Sequence, residues 1–227
     1  MVDGRAGRVA GVLGALERER STGLLRVGDD GAFHLDGGAV VHAESRHAPG
    51  PGELPGGPPG ASGPELPELF ALFDAAYFLL GSAAEPDFTA GPPSGRTRRI
   101  TAATLVHERR RRRVLLDAAW PDGGVDVAPV VPVRRVRRQR VILTGVQAEI
   151  LLNADGRRTP GELARELGRT AFGCLLAVRG LAAASLLRTQ APAPPAVPPA
   201  RVEIPASWAP ADQDLLDRLR TALTELG

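Results

Sequence analysis

The chain has 227 residues, with 28 Arg, no Lys, 26 Asp+Glu, 4 His, one Cys, 21 Pro and 27 Gly. A hydrophobic share of 43% supports ordinary cores and excludes wholesale disorder. The lone Cys174 excludes an internal disulfide and a thiolate-only zinc site within one chain, and the lack of Lys excludes Schiff-base chemistry and a Walker-type phosphate loop.

No apolar run approaches the roughly 20 residues that span a bilayer, and the start MVDGRAGRVAGVLGALERER shows no signal-peptide pattern. A soluble cytoplasmic protein without a membrane partner is expected. The exclusive use of Arg, with the Ala, Gly and Pro load, is the composition of a GC-rich, actinobacterial-type genome, so an Arg run says less here than elsewhere. Charge is nonetheless segregated. Residues 1–95 hold 6 Arg against 13 acids, and residues 96–140 hold 13 Arg against 4 acids.

In chain order, Val9, Val12, Leu13 and Leu16 follow helical spacing over residues 5–18. Leu25 and Val27 alternate with Arg26, and Phe33 and Leu35 alternate with His34. Turn signals at Asp30-Gly31 and Asp36-Gly37 separate these runs from Val40 and Val41, which predicts a three-strand meander. Residues 48–64 are too rich in Pro and Gly for regular structure and form an insertion loop. A helix over 65–80 carries Leu66, Leu69, Phe70, Phe73, Tyr77, Phe78 and Leu80 and is expected at the centre of the first core. Glu85 to Ala90, with Phe88, is a short extended piece.

Thr101 to Ala119 is a further helix, whose stripe of Ala102, Leu105 and Val106 resumes at Leu115 and Leu116. That stripe puts Arg109 and Arg113 at the core edge, where they would snorkel outward, or else the helix leaves the domain there. Residues 121–140 look like a basic linker, with a brief strand around Val130 to Val133. Residues 141–190 form a second unit: a helix with Val146, Ile150 and Leu151, a capping box at Thr159-Pro160-Gly161-Glu162, a helix from about Thr170 to Ala184, and a strand beginning at Leu186. Three short helices and a strand are the ingredients of a winged helix. A Pro-rich tether over 191–206 leads to a last amphipathic helix within 207–227, with Leu215, Leu216, Leu219, Leu223 and Leu226 on one face as a partner-docking stripe.

The fold class expected is α+β: an antiparallel-sheet and helix domain over 1–120, then a winged-helix domain and a tethered helix. The run TGLLRV, GAFHLDGGAVVHAES and EPDFTAG resembles the PatA N-terminal (PATAN) type of domain over roughly residues 5–118. The matching positions are Thr22, Gly23, Phe33, Asp36, Gly37, His42, Ala43 and Phe88. The resemblance implies a protein-contact module of bacterial signalling and transcription-linked proteins, and brings no catalytic residues. Residues 148–188 resemble a winged-helix domain of bacterial regulators, with a PqqD-like peptide-binding fold as the rival.

His42, Glu44 and His47 have the spacing H-x-E-x-x-H, but on a strand end rather than a zinc-protease helix, so no metal site is assigned. Cys174 sits among Phe172, Leu175 and Leu176 as a small buried hydrophobe. No nucleophile has an evident base, so neither an enzyme nor a cofactor is expected. The function expected is a non-enzymatic bacterial signalling or transcriptional regulator. Its candidate nucleic-acid contacts are Arg109, Arg110, Arg111, Arg112, Arg113, Arg134, Arg135, Arg137, Arg138, Arg140, Arg157, Arg158, Arg169 and Thr170. The third helix of the second unit offers only Arg169, Thr170 and Arg179 as polar members, a poor set for reading bases. A protein partner is expected, with DNA and a homodimer as further candidates, and a pure signalling adaptor is the alternative function.

Overall fold

The computed structural model describes residues 3–54, 65–93, 98–135 and 141–188. Helix α1 (Asp3–Arg18) precedes three strands, β1 (Gly23–Val27), β2 (Gly31–Asp36) and β3 (Ala39–Ser45). Alternation does what the sequence implies. Leu25, Val27, Phe33, Leu35 and Ala43 are buried on one face of the sheet, while Arg26, His34, His42 and Glu44 face the other way. The β2–β3 turn is Gly37-Gly38, both at positive φ (53° and 85°). That is the two-residue type I′ geometry whose twist matches the flanking strands. A bulge between His34 and Leu35 moves the register so that Leu35 pairs with Val40 and His34 with His42.

Helix α2 (Glu65–Leu79) leads to β4 (Pro86–Ala90), which returns to pair with β1, Phe88 opposite Leu25. The sheet order is β3-β2-β1-β4, antiparallel throughout. Helix α3 (Ala102–Ala119) follows. The fold is therefore α+β, and the meander and the extended piece at Phe88 fall where expected.

The first core joins Val9 and Leu13 of α1, Leu25, Phe33 and Leu35 of the sheet, Leu72, Ala75, Ala76 and Leu79 of α2, and Leu105 of α3. Each fully buried Leu or Phe contributes about 1.5–3 kcal/mol by leaving water. The expected role of α2 needs one correction. Its buried face is built from Ala and Leu, not from aromatics: Phe70 is exposed, and Phe73, Tyr77 and Phe78 are half-buried. Small residues let the helix lie close to the sheet, while the Phe73 ring lies under the Arg112 guanidinium and the Phe78 ring beside that of His47.

Helices α4 (Gly145–Asn153), α5 (Pro160–Glu166) and α6 (Ala171–Ala183) complete the described chain. Capping boxes at Thr144/Gln147 and Thr159/Glu162 open α4 and α5. Ile150, Leu163, Cys174, Val178 and Leu181 centre a second core. The 121–135 stretch, linker-like in composition, supplies Val125 and Val130 to that core, and it forms a short 3₁₀ turn at Gly123–Asp126. The two brief strands reduce to one bridge, Pro132 with Leu187. All described residues belong to one compact unit, in which α6 packs on α3 as well as on α4 and α5. No helix among them is long and apolar enough to cross a membrane. The leucine stripe at Leu215, Leu216, Leu219, Leu223 and Leu226 lies outside the described residues.

Candidate nucleic-acid interface

Successive helical residues are 100° apart, so five consecutive Arg cannot all face water. On α3, opened by the Thr101 cap, the buried line is Ala102, Leu105, Arg112 and Leu116. Leu115 and Val114 are exposed instead. Arg112, expected beside its neighbours as a phosphate contact, is thus corrected to an interior residue, 5% exposed. Its Nη1 lies 2.6 Å from Asp74 Oδ1 and its Nε 2.9 Å from Glu108 Oε1. Its guanidinium stacks 4.8 Å from the Phe172 ring centroid and 5.8 Å from that of Phe73.

The other four arginines divide in two. Arg111 forks onto Glu108 at 2.7 and 2.8 Å. That hydrogen bonding, with the contact from Arg112, holds the Glu108 carboxyl down to about 2 against the effect of partial burial. Arg109, Arg110 and Arg113 line a groove of about 600 Å³ between α1 and α3, floored by Ala10, Leu80 and Val106. Arg110 and Arg113 are exposed and one turn apart, and Arg113 has Asp117 at 3.7 Å.

The remaining candidates are more dispersed. Arg134 and Arg135 are exposed, whereas Arg137, Arg138 and Arg140 lie outside the described residues. Arg157 is exposed on the turn before α5, where Asp155 Oδ1 accepts the backbone N–H groups of Arg157 and Arg158 at 2.9 and 3.1 Å. Those two bonds hold the Asp155 carboxyl down to about 2. The Arg158 side chain pairs with Asp155 and Glu166. Arg169 forks onto Glu149 at 3.0 and 2.7 Å, and the Thr170 hydroxyl caps α6 by accepting from the Gly173 N–H. Both serve helix ends and helix pairing.

Helix α6 is enclosed by its own chain. Eight of its residues are buried, among them Arg179 at 3% exposure. Arg179 forks onto Asp126 at 2.8 and 2.6 Å, and its Nη1 reaches Asp117 at 2.9 Å and the Trp120 carbonyl at 2.7 Å. A base-reading helix must offer polar side chains to a groove. The one long polar side chain within α6 points inward instead.

Other reactive types converge at Asp30. It accepts from Ser82 Oγ at 2.6 Å and from Arg46 Nη2 at 2.8 Å, with His47 Nε2 at 3.4 Å. Burial pushes its carboxyl up, but the bonds to Ser82 and His47 and the charge of Arg46 outweigh that and leave it lowered. The hydroxyl gives its proton to the carboxylate, so the imidazole does not activate it, unlike a Ser-His-Asp relay. His47 therefore parts company with His42 and Glu44.

Three of the acids that organise the arginines, Asp74, Asp117 and Asp126, carry no role in the sequence reading, and Glu108, which adjoins the run and is expected at the surface, instead accepts from Arg111 and Arg112. One signal was present. Asp74 is the sole charge in FALFDAAYFLL, and a buried acid needs a buried cation. Comparison with protein-family models, curated proteins and solved structures gives no match to this chain.

Proposed function

We propose that the protein is a non-enzymatic regulatory protein that holds nucleic acid by its phosphates and does not read bases through α6. On this reading the sheet with α1–α3 is a PATAN-like protein-contact half, and α4–α6 a winged-helix half acting by position and charge. The observation that carries it is the groove beside α3. Arg110 and Arg113 stand exposed on its rim with Arg109 behind them, while Arg169, Thr170 and Arg179 serve internal contacts. Exposed Arg134, Arg135 and Arg157 add cationic surface. Backbone contacts of this kind give affinity without sequence information.

Fluorescence-anisotropy titration of the full chain on labelled duplex DNA across a salt series tests this. Binding should weaken steeply with salt, by a slope of about 0.9 per phosphate contact. Arg110→Ser with Arg113→Ser should lower that slope by about 2, equally on duplexes of different sequence. A flat trace at low salt removes the reading.

A second reading, a protein-protein adaptor, draws on exposed apolar side chains around α4. Ile142 is 98% and Leu152 85% exposed. It predicts no DNA binding at any salt, and complex formation that Ile142→Ser and Leu152→Ser abolish.

A further inference from the structure

The face of the sheet turned away from the helices carries two of the chain's four histidines side by side. Alternation along β2 and β3 sends Phe33, Leu35 and Ala43 inward and His34, His42 and Glu44 outward. The register sets His34 directly opposite His42, with ring centroids 5.3 Å apart. Glu44, two residues beyond His42 and so on the same face, brings its Oε1 to 3.8 Å from His34 Nε2. One donor atom from each of the three lies within 4.8 Å of the others.

We propose that His34, His42 and Glu44 form a binding site for a divalent transition-metal ion, Zn²⁺ in the first instance. Zinc bound at about 2.0–2.1 Å to imidazole nitrogen and carboxylate oxygen has its ligand atoms about 3.3 Å apart in a tetrahedron. Side-chain rotation covers the remaining gap, because these side chains are at least one-third exposed for His34 and more so for Glu44. The backbone need not move: β2 is an inner strand, and the Gly37-Gly38 turn fixes its register with β3. Two nitrogens and one oxygen suit a borderline ion rather than Mg²⁺ or Ca²⁺, which take oxygen ligands. Arg26 of β1 is in register with this face. It lies across Ala32 from Glu44 and is paired in register with Asp87 of β4. Three protein ligands leave one position for water or for a donor from a partner.

This site differs from the one that the linear motif suggests. His47, the third member of H-x-E-x-x-H, is held at Asp30 with its ring 5.5 Å from that of Phe78. It serves as the control. Isothermal titration calorimetry of the tag-free full chain with zinc chloride should give one site. His34→Ala and His42→Ala should each weaken it by at least the roughly 10–100-fold seen on losing a supporting residue. His47→Ala should leave the affinity unchanged, and magnesium chloride should give no binding. Co²⁺ absorption in the visible should appear in the parent and in His47→Ala, and vanish in the other two. Because His34 and His42 lie on the outward face of the sheet, thermal unfolding without metal should be alike in the parent and in these two variants, which separates ligand loss from misfolding. No zinc binding, or binding that survives both His34→Ala and His42→Ala, or that is lost in His47→Ala, overturns the proposal.

Discussion

Arg112 and Asp74, thirty-eight positions apart, form a buried ion pair with Nη1 2.6 Å from Oδ1. The other carboxylate oxygen, Oδ2, accepts the Ala171 N–H at the start of α6 at 2.5 Å. One side chain of α2 therefore fastens both α3 and α6. Burial pushes the Asp74 carboxyl up, and the Arg112 charge with the amides of Ala171 and Phe172 pulls it down without fully cancelling that effect.

Removing one partner leaves a charge in the interior without its counterion. Asp74→Ala should cost about 3–5 kcal/mol in urea unfolding. Replacing both partners with apolar residues, Asp74→Leu with Arg112→Met, should cost less than Asp74→Ala alone, because no buried charge remains. A double variant as unstable as the sum of the singles would count against the pairing.

The acid limb of stability should carry the mark of Glu108. Its carboxyl is lowered from 4.5 to about 2 by the hydrogen bonds of Arg111 and Arg112. A depressed carboxylate stabilises the fold above its unfolded value, and that contribution is lost as pH falls through its folded value. The parent should thus exceed Glu108→Gln in stability at neutral pH, and the gap should close between about pH 4.5 and 2. Urea midpoints of both proteins across that range provide the check.

Cys174 should be inert while the chain is folded. It is fully enclosed in the second core, and burial, aided by the charge of Asp74, pushes its thiol up to about 12. Only the thiolate reacts with disulfide reagents. Labelling at pH 8 should be negligible in buffer and rapid in denaturant, and fast labelling of native protein would place the thiol elsewhere.

Gly161 marks a close approach rather than a turn. A Cβ there would stand 2.5 Å from the backbone carbonyl oxygen of His47, which no side-chain rotation can relieve. Arg165, one turn on, donates to the carbonyls of Ser45, Arg46 and Ala48 in the same segment. Gly161→Ala should lower stability by about 1–3 kcal/mol, although Ala is the better helix former. Thermal unfolding decides, and an unchanged or raised midpoint would contradict this packing.

The elements were legible because their signals are local. Period-two alternation through Phe33 and Leu35, the Asp36-Gly37 turn signal, one residue ahead of the Gly37-Gly38 turn that forms, and the Thr159/Glu162 capping box each act within a few residues. The arginine run was legible as a helix and as charge. Its orientation was legible only in part: Leu105 and Leu116 of the apolar stripe do face inward, but Leu115 faces out and the inward position between them belongs to Arg112. A guanidinium can take a core position only if a carboxylate on another element meets it, and Asp74 lies on α2.

Sequence by itself determined the strands of the sheet and the helices α1 to α6, the alternation that turns His34, His42 and Glu44 to one face, and the poverty of polar side chains on α6. Propensity, capping and periodicity are properties of short stretches. Only the tertiary structure decided which arginines remain at the surface and which histidines meet. Those outcomes depend on strand register and on pairs such as Arg179 with Asp126, fifty-three positions apart. Such partners are chosen by the cost of burying an unpaired charge, and that cost arises only once distant segments pack together.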